Sequence, residues 1–352
     1  MSNSKYVAYV STYTMGDNHG IKIYDVDMEH GRLEEKAQVE ITNSSYVTIS
    51  HNGKYLYSIT DAGVEAYKIQ KDGNLEMINR ASINGMRGCY LSTDYTDTYL
   101  FCAGYHDGKI TVLKLNTQTG AVVGITDEVY HRGLGSVAER GFRPHISCVK
   151  MTLDNKYLCA ADLGIDYVNV YRLDHERGTL KQVDIIRCEQ DSAPRHIQFS
   201  KDGRFLYIIC ELKNCIDVYS YCEENNNPFF EKIQSIPTTD KYDAQGVAAS
   251  ALTLSKDGKY VLASNAGENS VSLFAQDENT GKLEMQFCLP ISGEYPKDVT
   301  LFPDNKHLVC LNHESDTMTF FTVDLENKVI IMNGKEMKVK QGNCITFHEM
   351  KN

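Results

Sequence analysis

The amino-acid sequence predicts an all-β fold in which seven blades of four antiparallel strands close into a ring, a β-propeller. Three observations carry that expectation. A repeat near fifty residues runs the length of the 352-residue chain, the period of a propeller blade. Each repeat holds two hairpins with apolar and polar residues in strict alternation, and helical periodicity is missing. The two chain ends look like complementary halves of one blade.

The first hairpin of each repeat is an apolar strand, a polar turn and a second strand that usually opens with an aromatic residue. Its clearest copy runs from Ile197 to Tyr207, with Asp202-Gly203 at the turn. The second strand of the motif begins at Tyr6, Tyr55, Tyr99, Tyr157, Phe205, Tyr260 and His307, giving spacings of 49, 44, 58, 48, 55 and 47 residues. Between these copies lies a second hairpin, often with Gly-x-Leu at the turn exit: Ile21 to Leu33, Val64 to Leu75, Ile110 to Val122, Val168 to Leu180, Ile216 to Phe230, Val271 to Leu283 and Met318 to Val329. Asn225-Asn226-Asn227-Pro228 reads as a long turn, and the stretch from about Gly124 to Phe142 as a long connection of the kind that often carries function.

The segment Cys344-Ile345-Thr346-Phe347, within 342–350, looks like a first strand lacking its second, and 5–10 looks like a second strand lacking its first. Pairing them completes the seventh blade and removes the open edges of an unclosed array. The expectation is one propeller domain over 1–352. The absence of Trp excludes the tryptophan-aspartate repeat type of propeller.

A composition that is 42% hydrophobic and 24% charged belongs to a folded globular chain rather than a disordered one. The net charge of −11 argues against a sequence-independent grip on nucleic acid or on an anionic membrane, because both need a net basic face. The N-terminus resembles no signal peptide and no long apolar run exists, so a cytoplasmic location is expected. The 11 cysteines lie singly, mostly in apolar runs and without a C-x-x-C pair, which reads as reduced thiols rather than a disulfide framework or zinc site. No cofactor or metal is expected, and phosphate-loop, dinucleotide, serine-elbow and zincin motifs are all missing from the sequence.

Hairpin counting points to one end of the ring. In the copy centred on Asp202-Gly203, antiparallel pairing sets Arg195 opposite Cys210 and diagonal to Glu211, within reach of long side chains. The same counting brings Ser147 near Asp162, Ser250 near Asn265 and Lys297 near Asn312, with Asp61, Arg87, Tyr105, His145 and His313 at comparable positions and His196 beside Arg195. This end is rich in ionisable groups, whereas the turn end repeats Lys, Asp, Asn and Gly. Two readings of Arg195 and Glu211 stand: a salt bridge that stitches one blade, or an anion-binding arginine beside a carboxylate base. His145 and His196 read as hydrogen-bonded structural groups or as catalysts, and Asp162 and Asp166 as loop caps or site groups.

At these residues the sequence resembles the seven-bladed propeller lactonase family, which includes propeller-type 6-phosphogluconolactonases and carboxymuconate lactonizing enzymes. The resemblance spans essentially the whole chain. It rests on Ser11-Thr12-Tyr13-Thr14, Pro144-His145, Asp162-Leu163-Gly164-Ile165-Asp166, Pro194-Arg195-His196-Ile197, Tyr207-Ile208-Ile209-Cys210-Glu211 and Ser264-Asn265. It implies active-site roles for Arg195 and Glu211. Three departures stand out: Ser147 replaces the family's second histidine of Pro-His-x-His, Ala266 replaces an arginine, and Lys297 replaces the arginine of Pro-Arg-Asp. Lysine keeps the charge but offers a point donor where arginine offers a fork.

The resemblance implies hydrolysis of a small anionic sugar-acid lactone, with 6-phosphogluconolactone as the default. Glu211 or His145 would activate water and Arg195 would stabilise the oxyanion. Lys297, Arg143 or Arg87 would hold a phosphate or carboxylate, with His196, Asp162, His313 and Asn265 completing the substrate pocket. A cycloisomerase or lyase using the same pocket, and a ligand- or partner-binding propeller without catalysis, are the alternatives.

Overall fold

The computed structural model describes residues 5–16, 18–135, 143–240, 246–325 and 327–350, and it forms seven antiparallel sheets arranged as a propeller. The second strands begin at Lys5, Tyr55, Tyr99, Tyr157, Phe205, Tyr260 and His307, so the aromatic-led motif marks the blades to within one residue. The strand Gly342–Met350 pairs along Lys5–Thr12, from Lys5 with Met350 to Thr12 with Gly342, and so supplies the first strand of blade 1. The first strand of every blade packs on the first strands of both neighbours, a closed circuit of seven around the axis. Among the described residues there is no helix, and none long and apolar enough to cross a membrane.

The repeat motif has a packing reason. The glycine at the turn of the second hairpin takes a left-handed φ, and the strand-opening residue of the preceding blade lies against its bare Cα. A Cβ at Gly120 would stand 2.2 Å from the Tyr55 ring, at Gly178 2.3 Å from Tyr99 and at Gly281 2.2 Å from Phe205. Tyrosine hydroxyls then cap the neighbouring turn: Tyr9 Oη donates to Gly73 O at 2.8 Å, and Tyr99 Oη to His175 O at 2.9 Å. This explains a Tyr-rich, Trp-free chain, because a buried phenol needs a partner and the next blade's turn supplies one. Apolar side chains fill the spaces between blades, as where Tyr207, Ile209 and Val218 of blade 5 meet Leu252, Val261 and Phe274 of blade 6. Each such buried residue contributes about 1.5–3 kcal/mol.

Two expectations about loops are corrected. Asn225 and Asn226 form a two-residue turn with φ of 50° and 62° between paired Glu224 and Asn227, and Asn227-Pro228 already belong to the next strand. Asparagine tolerates the left-handed region, which suits it to such turns. The segment after Gly124 continues as strand Val122–Tyr130, so the connection before blade 4 starts only at His131. Residues 136–142 of that stretch lie outside the described residues.

The register near the axis also differs from simple counting. Pro194, not Arg195, pairs with Cys210, and His196 pairs with Ile209. A bulge therefore falls on Arg195. The same irregularity falls on Ser147, between Ile146 and Cys148, and on Lys297, between Pro296 and Asp298. A bulge re-aims side chains at the strand end.

Candidate active site at the ring axis

The bulges decide what faces the axis. Strict alternation would turn one residue of each consecutive pair away. Instead Arg195 and His196 both line an axial cavity of about 290 Å³, and so do Lys297 and Asp298. Arg87, Tyr13, Tyr105 and His106 complete the polar part of its wall, on the end opposite the Asp-Gly turns. A larger cavity of about 450 Å³ opens at the turn end, shares Tyr46 and Ile345 with the first, and has Lys150, His51 and His348 as its basic groups. The smaller one concentrates the cations.

Tyr13 organises them. The Arg87 guanidinium lies 4.8 Å and the Lys297 ammonium 4.9 Å from its ring centroid, and His313 meets the ring edge-on at 5.8 Å. Lys297 Nζ also donates to Asn343 Oδ1 at 2.5 Å, and Arg87 pairs with Asp61 at 3.1 Å. Burial, together with Arg195 and Arg87, lowers the Lys297 ammonium to about 7. Burial raises the Asp298 carboxyl to about 7, against the effect of the Ile345 and Val299 amides that donate to it. The wall is therefore strongly electropositive, because its only carboxyl among the described residues is reluctant to ionise.

Arg195 is ion-paired through Nη1 with Glu211, whose side chain is only 4% exposed, and Glu211 stands behind the guanidinium rather than on the cavity wall. Arg195 Nε is buried without a hydrogen-bond partner. It is thus a donor held in place and unused. His196 lies on the wall 5.6 Å from the Tyr90 ring, and burial, Arg195 and Lys150 lower it to about 3, so it stays neutral at ordinary pH. His106 is likewise lowered, by burial and then by Arg87.

The other expected residues are placed differently. His145 is stacked on Tyr105 at 4.4 Å with its Nδ1 2.8 Å from the Tyr105 carbonyl, below the wall. Asp162 is fully buried and caps its loop, accepting from the His145 and Gly164 amides at 2.7 and 3.0 Å and lying 2.7 Å from His131 Nδ1. Asp166, with φ 58°, accepts from the Asp191 and Ala193 amides, so both aspartates act as loop caps. Asn265 is spent within its blade, donating to Thr238 O, Ser270 Oγ and Ser272 Oγ. Arg143 is exposed, and its charge adds to the lowering of His106. His313 adjoins the wall only through Tyr13.

Two replacements acquire local explanations. Ser147 Oγ donates to the Arg195 carbonyl at 2.7 Å, tying down the bulge of the next blade. Ala266 is buried and pairs with Ala248, leaving no cation there. Sequence reasoning missed Asp298, His106 and Asn343 as wall or support groups. Only the adjacency of Asp298 to Lys297 and of His106 to Tyr105 pointed to the first two.

Comparison with known proteins agrees with this architecture. The profile of the family described as "Lactonase, 7-bladed beta-propeller" matches residues 7–347. The 6-phosphogluconolactonase of Bacillus subtilis is 31% identical over 98% of this chain and 99% of that protein. An uncharacterized protein of Staphylococcus saprophyticus is 30% identical over 96% of this chain and 98% of its own length. The solved structure of a periplasmic gluconolactonase from Pseudomonas aeruginosa superposes with a TM-score of 0.92 at 26% identity, covering 99% of this chain and 100% of that one. The cationic axial cavity thus sits in a chain that belongs to the seven-bladed β-propeller lactonase family.

Proposed function

We propose that this protein hydrolyses a sugar-acid lactone in the axial cavity, with 6-phosphogluconolactone as the default substrate. The observation that carries this reading is the buried, unpartnered Nε of Arg195 in a wall that also holds Arg87 and Lys297. A donor that is already oriented and dehydrated stabilises the oxyanion of a tetrahedral intermediate without reorganising, and losing one such donor typically costs about 10²–10³ in rate.

Glu211 keeps Arg195 in position. Lys297 takes the role of base: near neutrality a substantial fraction of it is the free amine, and the amine accepts a proton from water as that water attacks the lactone carbonyl. The intermediate collapses by breaking the ring ester bond, and the departing alkoxide takes the proton back from the Lys297 ammonium. Arg87 and, at the mouth, Arg143 attract the anionic group of the substrate. The eleven unbridged cysteines favour a reducing compartment.

The test is proton release by the purified protein from 6-phosphogluconolactone and from gluconolactone, with product oxygen followed in isotopically labelled water. Catalysed opening that carries solvent oxygen into the product and is lost in Arg195→Ala supports lactone hydrolysis. No opening above the spontaneous rate, or no solvent oxygen in the product, overturns it.

A further inference from the structure

A second reactive cluster lies on the far side of Glu211 from the cavity. The strands Phe205–Cys210 and Cys215–Glu224 are joined by a four-residue turn that begins with Glu211, and Cys210 and Cys215 are the directly opposed pair that closes it. Opposed residues on antiparallel strands have Cα atoms about 4.5–5.5 Å apart, inside the range of roughly 4.4–6.8 Å that a disulfide spans. The two sulfurs and a carboxylate oxygen of Asp217 lie within 4.8 Å of one another. We propose that Cys210 and Cys215 form a thiol-modification site, a dithiol that a low-molecular-weight disulfide converts into an intramolecular cross-link.

The two thiols are unequal in the way such chemistry needs. Cys215 is half-buried at the surface, whereas Cys210 is fully buried. A hydrogen bond from the Cys210 thiol lowers the Cys215 thiol, and the nearby Lys232 ammonium works in the same direction. The same hydrogen bond and burial raise Cys210. The reachable thiol is therefore also the one that ionises more readily, and the thiolate is the nucleophile. Cys222 is the only fully exposed cysteine, and its thiol is raised, by desolvation and by Glu224. Exposure and acidity thus coincide at Cys215 and part company at Cys222. Lys232 Nζ, 2.8 Å from Asp217 Oδ2, already neutralises the carboxylate, which disfavours a divalent cation in the cluster.

The Cys215 thiolate attacks one sulfur of the small disulfide, forming a mixed disulfide and releasing the other half as a thiolate. Cys210 then loses its proton, attacks Cys215 Sγ and expels the second half. Two protein thiols are oxidised to one disulfide, and the small disulfide is reduced to two thiols. The cross-link closes the turn 211–214.

Lys213 lies between the two cysteines, so trypsin separates them when they are reduced and leaves them joined only through a sulfur bridge. The full-length protein is incubated with glutathione disulfide, quenched by alkylation at intervals and mapped by peptide mass spectrometry. The expected result is a bridged Cys210–Cys215 peptide that accumulates at least tenfold faster than any adduct on Cys222. Cys210→Ala is expected to trap glutathione on Cys215, and Cys215→Ser to leave Cys210 unmodified over the same interval. If either variant fails to fold, the wild-type time course decides alone. A Cys222 adduct that forms as fast, or a stable glutathione adduct on wild-type Cys215 without bridging, overturns the proposal.

Discussion

Arg195 presents its guanidinium to the axial cavity while Glu211, sixteen residues later and buried, holds it from behind. The relationship separates holding from reacting. Glu211→Gln keeps shape and removes the anchoring charge, so kcat is expected to fall about 100-fold, as for a misplaced catalytic group, with the pH-rate profile unchanged. Steady-state kinetics across pH checks this. A lost pH inflection in Glu211→Gln would make Glu211 the base instead.

Lys297 predicts the pH profile itself. Its folded value of about 7 lies below that of an ordinary lysine, and the reactive form is the free amine. Activity is therefore expected to rise with pH through about 7 and then level off. Lys297→Arg stays protonated, so it should lose about 10²–10⁴ in kcat and the inflection with it, while substrate binding is retained through the preserved charge. A Lys297→Arg enzyme with wild-type turnover refutes the assignment.

Asp298 gives a stability prediction with a definite sign. Its folded value of about 7 lies above the model value of 3.8, so between those limits the folded state binds more protons than the unfolded state. Its contribution is present at low pH and is lost as pH rises toward about 7. Replacing it with Asn may not preserve both amide contacts, but that loss does not depend on pH. The difference in Tm between Asp298→Asn and wild type should therefore shift in favour of the variant from pH 4 to pH 8. A difference that does not vary with pH rules this out.

Gly281 tests the inter-blade staple. Gly281→Ala meets both a left-handed φ of 69° and the Phe205 ring, 2.2 Å from the new Cβ. Gly246→Ala meets a similar φ of 77° with nothing within 4 Å. The backbone term is common to both, about 1–2 kcal/mol, and overpacking adds about 1–3 kcal/mol at Gly281 alone. Denaturant unfolding of the two variants measures the difference. Equal losses would show that the ring contact yields without cost.

The blades were legible because each rests on local chemistry: an aromatic that opens a strand, a polar turn, a glycine at the next turn. The candidate site was legible in part. Arg87, Arg195, His196 and Lys297 were placed at the correct end because hairpin pairing is arithmetic. His145, Asp162 and Asn265 shared the same arithmetic and proved to be hydrogen-bonded within their own blades, since pairing fixes a height along the strand but not the direction a side chain takes.

The sequence by itself determined the all-β class, the seven repeats, the first-to-last strand complementarity and the cationic character of one end, all of which follow from period-2 alternation and turn chemistry. Only the tertiary structure decided which groups converge. Bulges at Ser147, Arg195 and Lys297 override alternation, because the crowded axis where seven strands meet turns consecutive residues toward one space. Burial there then sets the ionisation of Lys297, Asp298 and His196, and burial is a property of the closed ring rather than of any segment within it.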